Sequence, residues 1–284
     1  MCIISEKAVL VSQKITHWSG RKLDKSATAK FNSDNHADDD AGRYNKLLIA
    51  KDAIKQITKA SGAARTAHYR LTLPWADNGQ RVLPTKLFWE YTEELQGFKD
   101  QFYVAVEKFC DAYPDLVADA KARLGDLYDP DDYPPTDEVR RKFSFNYDIT
   151  PVPDTGDFRV DIEKAALDDL SEQLKGRLLE TQKEAMREVW GRLREAVKAV
   201  SDRFSGKTDE KVIFRDSLIG NIRDICELVP KMNLEDDPEL DRLAEEVKLE
   251  LASIDPQALR DFPIDRVKAK AKADDIVKKM AAFM

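Results

Sequence analysis

At 284 residues the chain is long enough for one large domain or two modest ones, with ample material for a hydrophobic core. Charged residues make up 35% and hydrophobic ones 42%, and there are only 11 glycines, which fits long solvated helices better than a β-sandwich or a nucleotide-binding α/β fold. A net charge of −7 argues against coating duplex DNA by bulk electrostatics, while leaving room for a local basic groove.

Cys2, Cys110 and Cys226 are dispersed and odd in number, which argues against a disulfide framework or a zinc site and for a reducing compartment. Cys110 and Cys226 fall in apolar helical stretches and read as buried free thiols. The opening residues lack a signal peptide's basic-then-apolar order, and no apolar run approaches the roughly twenty residues that span a bilayer. The expected location is the cytosol, with no membrane contact.

In chain order, residues 8–18 read as a strand, with Val9, Val11 and Ile15 on one side of a period-two pattern. It ends at Ser19-Gly20, before the basic run Arg21-Lys22-Leu23-Asp24-Lys25. Residues 32–42 are polar and acidic and read as a loop. A helix is predicted over residues 44–68, where Ala60, Ala64 and Ala67 imply close packing on another helix. Residues 71–83 read as a short hairpin, with Pro74 and Asp77-Asn78-Gly79 supplying turn chemistry.

The strongest pattern follows. Phe88, Tyr91, Leu95, Phe98, Phe102, Ala105, Phe109 and Ala112 step by three and four, a coiled-coil-like seam that Tyr113-Pro114 is expected to break or restart. Asp129-Pro130-Asp131-Asp132-Tyr133-Pro134-Pro135 reads as a loop. Phe143, Phe145, Tyr147 and Ile149 alternate with polar residues, the cleanest strand in the chain, and Phe158, Val160 and Ile162 predict its hairpin partner. A helix over residues 163–204 carries a stripe from Leu167, Leu170 and Leu174 to Val200, expected to pack on the Phe-rich seam. It would be roughly 60 Å long, so part of it should project and need a partner. Helices are then expected over residues 209–229, from Pro238 with Asp237 as cap, from Pro256 with Asp255 as cap, and over the Lys-rich residues 264–284.

The chemistry-bearing motifs are few. No glycine-rich phosphate loop is present, and His17, His36 and His68 sit in no recognisable catalytic spacing. His36 with Asp34, Asp38, Asp39 and Asp40 has the donor types of a metal site but no matching spacing, so a solvated acidic loop is the better reading. Asp129, Asp131 and Asp132 read the same way. No catalytic residue, metal ligand or cofactor is assigned. The most suggestive local feature is Trp18 beside Arg21 and Lys22, which with Arg140, Arg141 and Lys142 ahead of an aromatic strand could stack a base and hold a phosphate. Against this, the alternation of Phe143, Phe145 and Tyr147 points those rings inward.

The strand ending in Trp18-Ser19-Gly20-Arg21-Lys22-Leu23, the Ala-rich helix, the Leu83-Pro84 start of a Phe-rich helix, and Phe143-Ser144-Phe145-Asn146-Tyr147 with Pro151-Val152 carry a family resemblance. Over residues 7–160 the chain resembles a phage- and plasmid-associated family of unknown function, often encoded beside MoxR-type AAA+ ATPases and von Willebrand factor A proteins. The resemblance implies a mobile-element setting and an AAA+ ATPase partner, and it assigns no catalytic residue.

The reading is therefore an α+β, predominantly helical protein with a small antiparallel sheet. Residues 1–204 are expected to hold the sheet and a long helical hairpin, and residues 205–284 a C-terminal helical bundle. The expected function is a non-enzymatic phage or mobile-element assembly or adaptor protein that acts by self-association or with an ATPase partner. The exposed end of the 163–204 helix and the Lys-rich tail would be its contact surfaces. The alternative is a single-stranded nucleic-acid-binding or annealing protein; a metal-dependent nuclease comes third.

Overall fold

The computed structural model describes residues 3–76, 79–154, 164–205 and 216–283. Its helices are α1 (Ile3–Lys7), α2 (Lys25–Asp34), α3 (Lys55–Leu71), α4 (Phe88–Leu124), α5 (Thr136–Arg140), α6 (Lys164–Arg203), α7 (Ser217–Met232), α8 (Pro238–Val247), α9 (Pro256–Asp261) and α10 (Pro263–Met280). Its strands are β1 (Ala8–Thr16), β2 (Arg21–Leu23), β3 (Asn45–Leu47), β4 (Leu73–Pro74), β5 (Gln80–Pro84) and β6 (Ser144–Pro151). The fold is α+β and mostly helical, as the composition and periodicity predict. The expected strand over residues 158–162 lies outside the described residues.

The chain forms two compact units, each discontinuous in sequence. The first takes residues 1–12, 71–90 and 148–284; the second takes residues 13–70 and 91–147. The four-stranded sheet has the order β4-β5-β1-β6, and β2 and β3 form a separate pair.

In the first unit β1 runs antiparallel to β5, with Ala8 opposite Pro84 and Ser12 opposite Gln80. Leu73 of β4 pairs with Val82, so the hairpin read from Pro74 and the following turn residues is present. Leu10 and Val11 are both buried. Successive residues of a strand face opposite ways, so β1 is covered on both faces here and lacks the clean alternation its sequence suggests.

The forty-residue α6 is the spine of this unit. Leu178, Ala185, Val189, Leu193, Val197 and Val200 are buried at helical spacing. They are covered by α7 and α10, and Trp190 stacks on Phe283 with centroids 5.5 Å apart. In the Phe-rich seam of the second unit, Phe102 and Phe109 meet aromatic residues of that same unit. Asp237 and Asp255 cap α8 and α9 by accepting from Glu239 N and Gln257 N, each at 2.9 Å. α7 differs from expectation by running through Pro230 to Met232.

In the second unit α4 is one continuous helix through Pro114, where a break was expected. Buried Phe109, Tyr113 and Ala120 on both sides of the proline hold the two halves in line, and their burial outweighs the lost hydrogen bond. Phe102 and Phe109 of α4 meet Phe145 and Phe143 at 5.7 and 5.5 Å, so the strand's aromatic face is core. The α3 positions Ala60, Ala64 and Ala67 are buried as their spacing predicts. α3 starts later than read because β3 occupies residues 45–47. Gly20 has φ +60°, and a Cβ there would lie 2.6 Å from Ile49 Cγ1, so only glycine fits this turn.

Candidate interaction surfaces

All six residues proposed for nucleic-acid contact lie in the second unit. Trp18 is half-buried, with its indole 5.8 Å from Tyr113 and 6.3 Å from Phe109. Lys22 pairs with Asp132, Arg140 with Glu107, and Lys142 with Glu138 at 3.0 Å. Arg21 and Arg141 are exposed. Four of the six thus already have protein partners.

Asp34, Asp38, Asp39, Asp40, Asp129 and Asp131 are exposed, as solvated loops should be, and Asp132 is the exception. Asp132 is buried, and its carboxylate meets Lys46 Nζ at 2.6 Å as well as Lys22. Lys46 is buried too, lies 3.3 Å from Asp24, and donates to the Leu127 carbonyl at 2.9 Å. Burial pushes the Asp132 carboxyl up, but its two ammonium donors outweigh that and hold it below the usual range. A carboxylate with two lysines aimed at it can be buried, and the sequence near Asp132 shows neither lysine. Asn32 is also buried, donating to the Asp39 carbonyl at 3.0 Å, so the acidic segment is tied down by its backbone.

His68 is buried and bonds the Tyr91 hydroxyl at 2.9 Å, which makes it a core residue. Burial first, and then the Tyr147 hydroxyl, push the Tyr91 phenol well above its ordinary value, so it serves as a neutral partner. Cys110 and Cys226 are buried free thiols as read, and burial pushes Cys226 up to about 12, far from a reactive thiolate. Among the described residues no group of His, Cys, Asp and Glu is placed to hold a metal. No described helix is long and apolar enough to cross a membrane.

The surface that stands out is the first third of α6. From residue 164 to 177 none of the described side chains is buried, yet Leu167, Leu170 and Leu174 continue the stripe that becomes core at Leu178. These fourteen residues span about 20 Å. A stripe of leucines at steps of three and four is the pattern of a helix face that another helix covers. A second apolar area lies where α10 begins, with Phe262, Ile264 and Val267 each more than half exposed. The Lys-rich tail named with it is largely neutralised: Lys270 pairs with Asp274 at 2.5 Å, Lys272 with Glu250, and Lys279 with Glu246 at 2.6 Å.

A family model described as "Protein of unknown function (DUF3150)" matches residues 5–207. No curated protein and no solved structure matches the chain.

Proposed function

The chain belongs to the DUF3150 family, and from its partly covered helical surface we propose that it is a non-enzymatic assembly or adaptor protein. It works in the cytosol of a host carrying a phage or other mobile element, by self-association or by holding a MoxR-type AAA+ ATPase. The observation that carries this reading is the leucine stripe of residues 167–174 on α6, only partly covered in a helix that is buried farther along the same face. The three are already partly covered, Leu170 being the most open at 36% exposure, so a partner adds only a fraction of the roughly 1.5–3 kcal/mol that full burial of a leucine contributes.

The test is sedimentation velocity on the full chain and on the triple variant Leu167→Glu, Leu170→Glu, Leu174→Glu, alone and with the co-expressed ATPase. The parent chain should form concentration-dependent oligomers or retain the ATPase. The variant should do neither while keeping its circular dichroism, because the three positions lie outside the core. A monomeric parent that retains no ATPase defeats the proposal.

The second reading, single-stranded nucleic-acid binding, is favoured by exposed Arg21, three residues from the half-buried Trp18, and by exposed Arg141. It requires oligonucleotide anisotropy that falls steeply with salt and is lost in Arg21→Ala/Lys22→Ala.

A further inference from the structure

Within the second unit, α3 and α4 leave an open groove of about 520 Å³ between them. One wall is Ala53, Gln56, Ala60 and Ala63, spaced by three and four along and just ahead of α3. The other runs along α4 from Phe98 through Ala105 to Leu116. Phe98 to Leu116 covers eighteen steps, about 27 Å, which matches a helix of four or five turns. Alanine walls leave a valley into which large side chains of a third helix can seat, allowing close approach of the backbones. Val104 is 55% exposed at the rim, an apolar side chain in water beside an unfilled valley.

The charged residues that line the groove are both cations, Lys59 and Lys108. α3 contains no acidic residue. Of its cations, Arg65 donates to the Ile15 carbonyl and Arg70 pairs with Glu94. Lys59 on α3 and Lys108 on α4 line the groove, are exposed, and have no ion-pair partner among the described residues. Asp100 and Asp111 stand on the far flank of α4, around a second, shallower depression. An occupant would therefore meet a cation on each of α3 and α4, and carboxylates at the outer edge of α4 and at exposed Asp52 just ahead of α3.

We propose that the groove between α3 and α4 docks an amphipathic helix of a partner protein, with large apolar residues seated on the alanines and carboxylates facing Lys59 and Lys108. This helix-in-groove contact rests on the adaptor reading and names the chemistry of what the adaptor holds. A nucleic-acid strand fits less well, because the walls are mostly alanine and the aromatic residues on them, Phe98 and Phe109, are half-buried and buried rather than open for a base to stack on. The acidic edge of the bound helix lies over α3, since its other edge faces Asp100 and Asp111.

The probe is a fluorescein-labelled twenty-residue peptide with leucines at steps of three and four and glutamates on its flanks, together with a twin carrying lysines instead. Anisotropy on the full chain should show the glutamate peptide binding with Kd on the order of micromolar, at least tenfold tighter than the lysine twin. Ala63→Leu, which fills the groove from a half-buried position, should remove that binding. Lys59→Glu with Lys108→Glu, both on the surface, should reverse the preference between the two peptides. Equal binding of the peptides, or binding that survives Ala63→Leu, overturns the proposal. Conversion of an oligomeric chain to monomer by Ala63→Leu also overturns it, because the occupant is then a second copy. The leucine-stripe variant of α6 should bind the glutamate peptide unchanged. Stripe-dependent assembly without peptide binding defeats the groove alone, and peptide binding without assembly or ATPase retention defeats the stripe alone.

Discussion

Asp132 is the residue on which the second unit's loop packing turns. It is buried between Lys22 and Lys46, and Lys46 is buried between Asp132 and Asp24. Removing one member of such a cluster leaves an opposite charge buried without compensation. Asp132→Ala should therefore cost about 3–5 kcal/mol, read as a lower urea midpoint, whereas Lys46→Met with Asp132→Leu should recover much of the loss. The cluster also sets an acid limb. Asp24 is pulled from 3.8 to about 2, first by the Ala27 backbone N–H, then by the Ser26 hydroxyl and Lys46. A carboxyl whose folded pKa is depressed adds stability that is fully present above its unfolded pKa and lost as pH falls through the folded one. Stability should thus decline between about pH 4 and pH 2, and Asp24→Asn should flatten that decline in urea titrations at pH 5, 4 and 3. None of this was legible locally. Asp132 sits among acids and prolines that read as solvated loop, and Lys22 lies 110 residues away in sequence.

At the scale of elements, what could be read was what repeats. The seam of α4, the stripe of α6 and the alternation in β6 each bury one face over many residues, so their period shows in the sequence. β2 and β3 are three residues each, Arg21-Lys22-Leu23 paired with Asn45-Lys46-Leu47, and carry no alternation to find. They are held by Gly20, whose carbonyl accepts from Leu48 N at 2.7 Å, and by the ion pairs of Lys22 and Lys46. The candidate surfaces were half legible for the same reason. Periodicity showed that α6 has an apolar face and that Ala60, Ala64 and Ala67 form one, but it cannot show that cover thins ahead of Leu178 or that Ala63 borders open space. Proline misled in the opposite direction. Pro114 looks like a stop, yet α4 continues because apolar residues on both sides stay buried. The helix bears that cost at an exposed position, so Pro114→Ala should raise stability by about 1–3 kcal/mol, partly offset by the freer unfolded chain. Thermal unfolding should show a higher Tm; an unchanged or lower one would mean that α4 is shaped around the proline.

For the whole molecule, the family match and the architecture end in different places. The match stops at residue 207, four residues beyond the end of α6, but the first unit includes residues 148–284. The inward face of α6 is covered by α7 and α10, which lie wholly beyond the match, and Trp190 by Phe283. Cutting the chain after Ser205 would uncover Val189, Trp190, Leu193, Val197 and Val200 together. At about 1.5–3 kcal/mol for each large side chain, that loss is comparable to the entire 5–15 kcal/mol by which a domain is stable. The truncated chain should therefore bind a hydrophobic dye and lose the sharp near-ultraviolet signal of Trp190. The same logic explains why the leucine stripe of residues 167–174 has to be probed by point substitution, since truncation at Pro230 would also strip α8–α10 and confound lost assembly with lost folding. Cooperative unfolding of the truncated chain without dye binding would mean that the matched region closes its own core. The C-terminal helices would then be an addition to that core, and α6 would need a different cover than α7 and α10 supply.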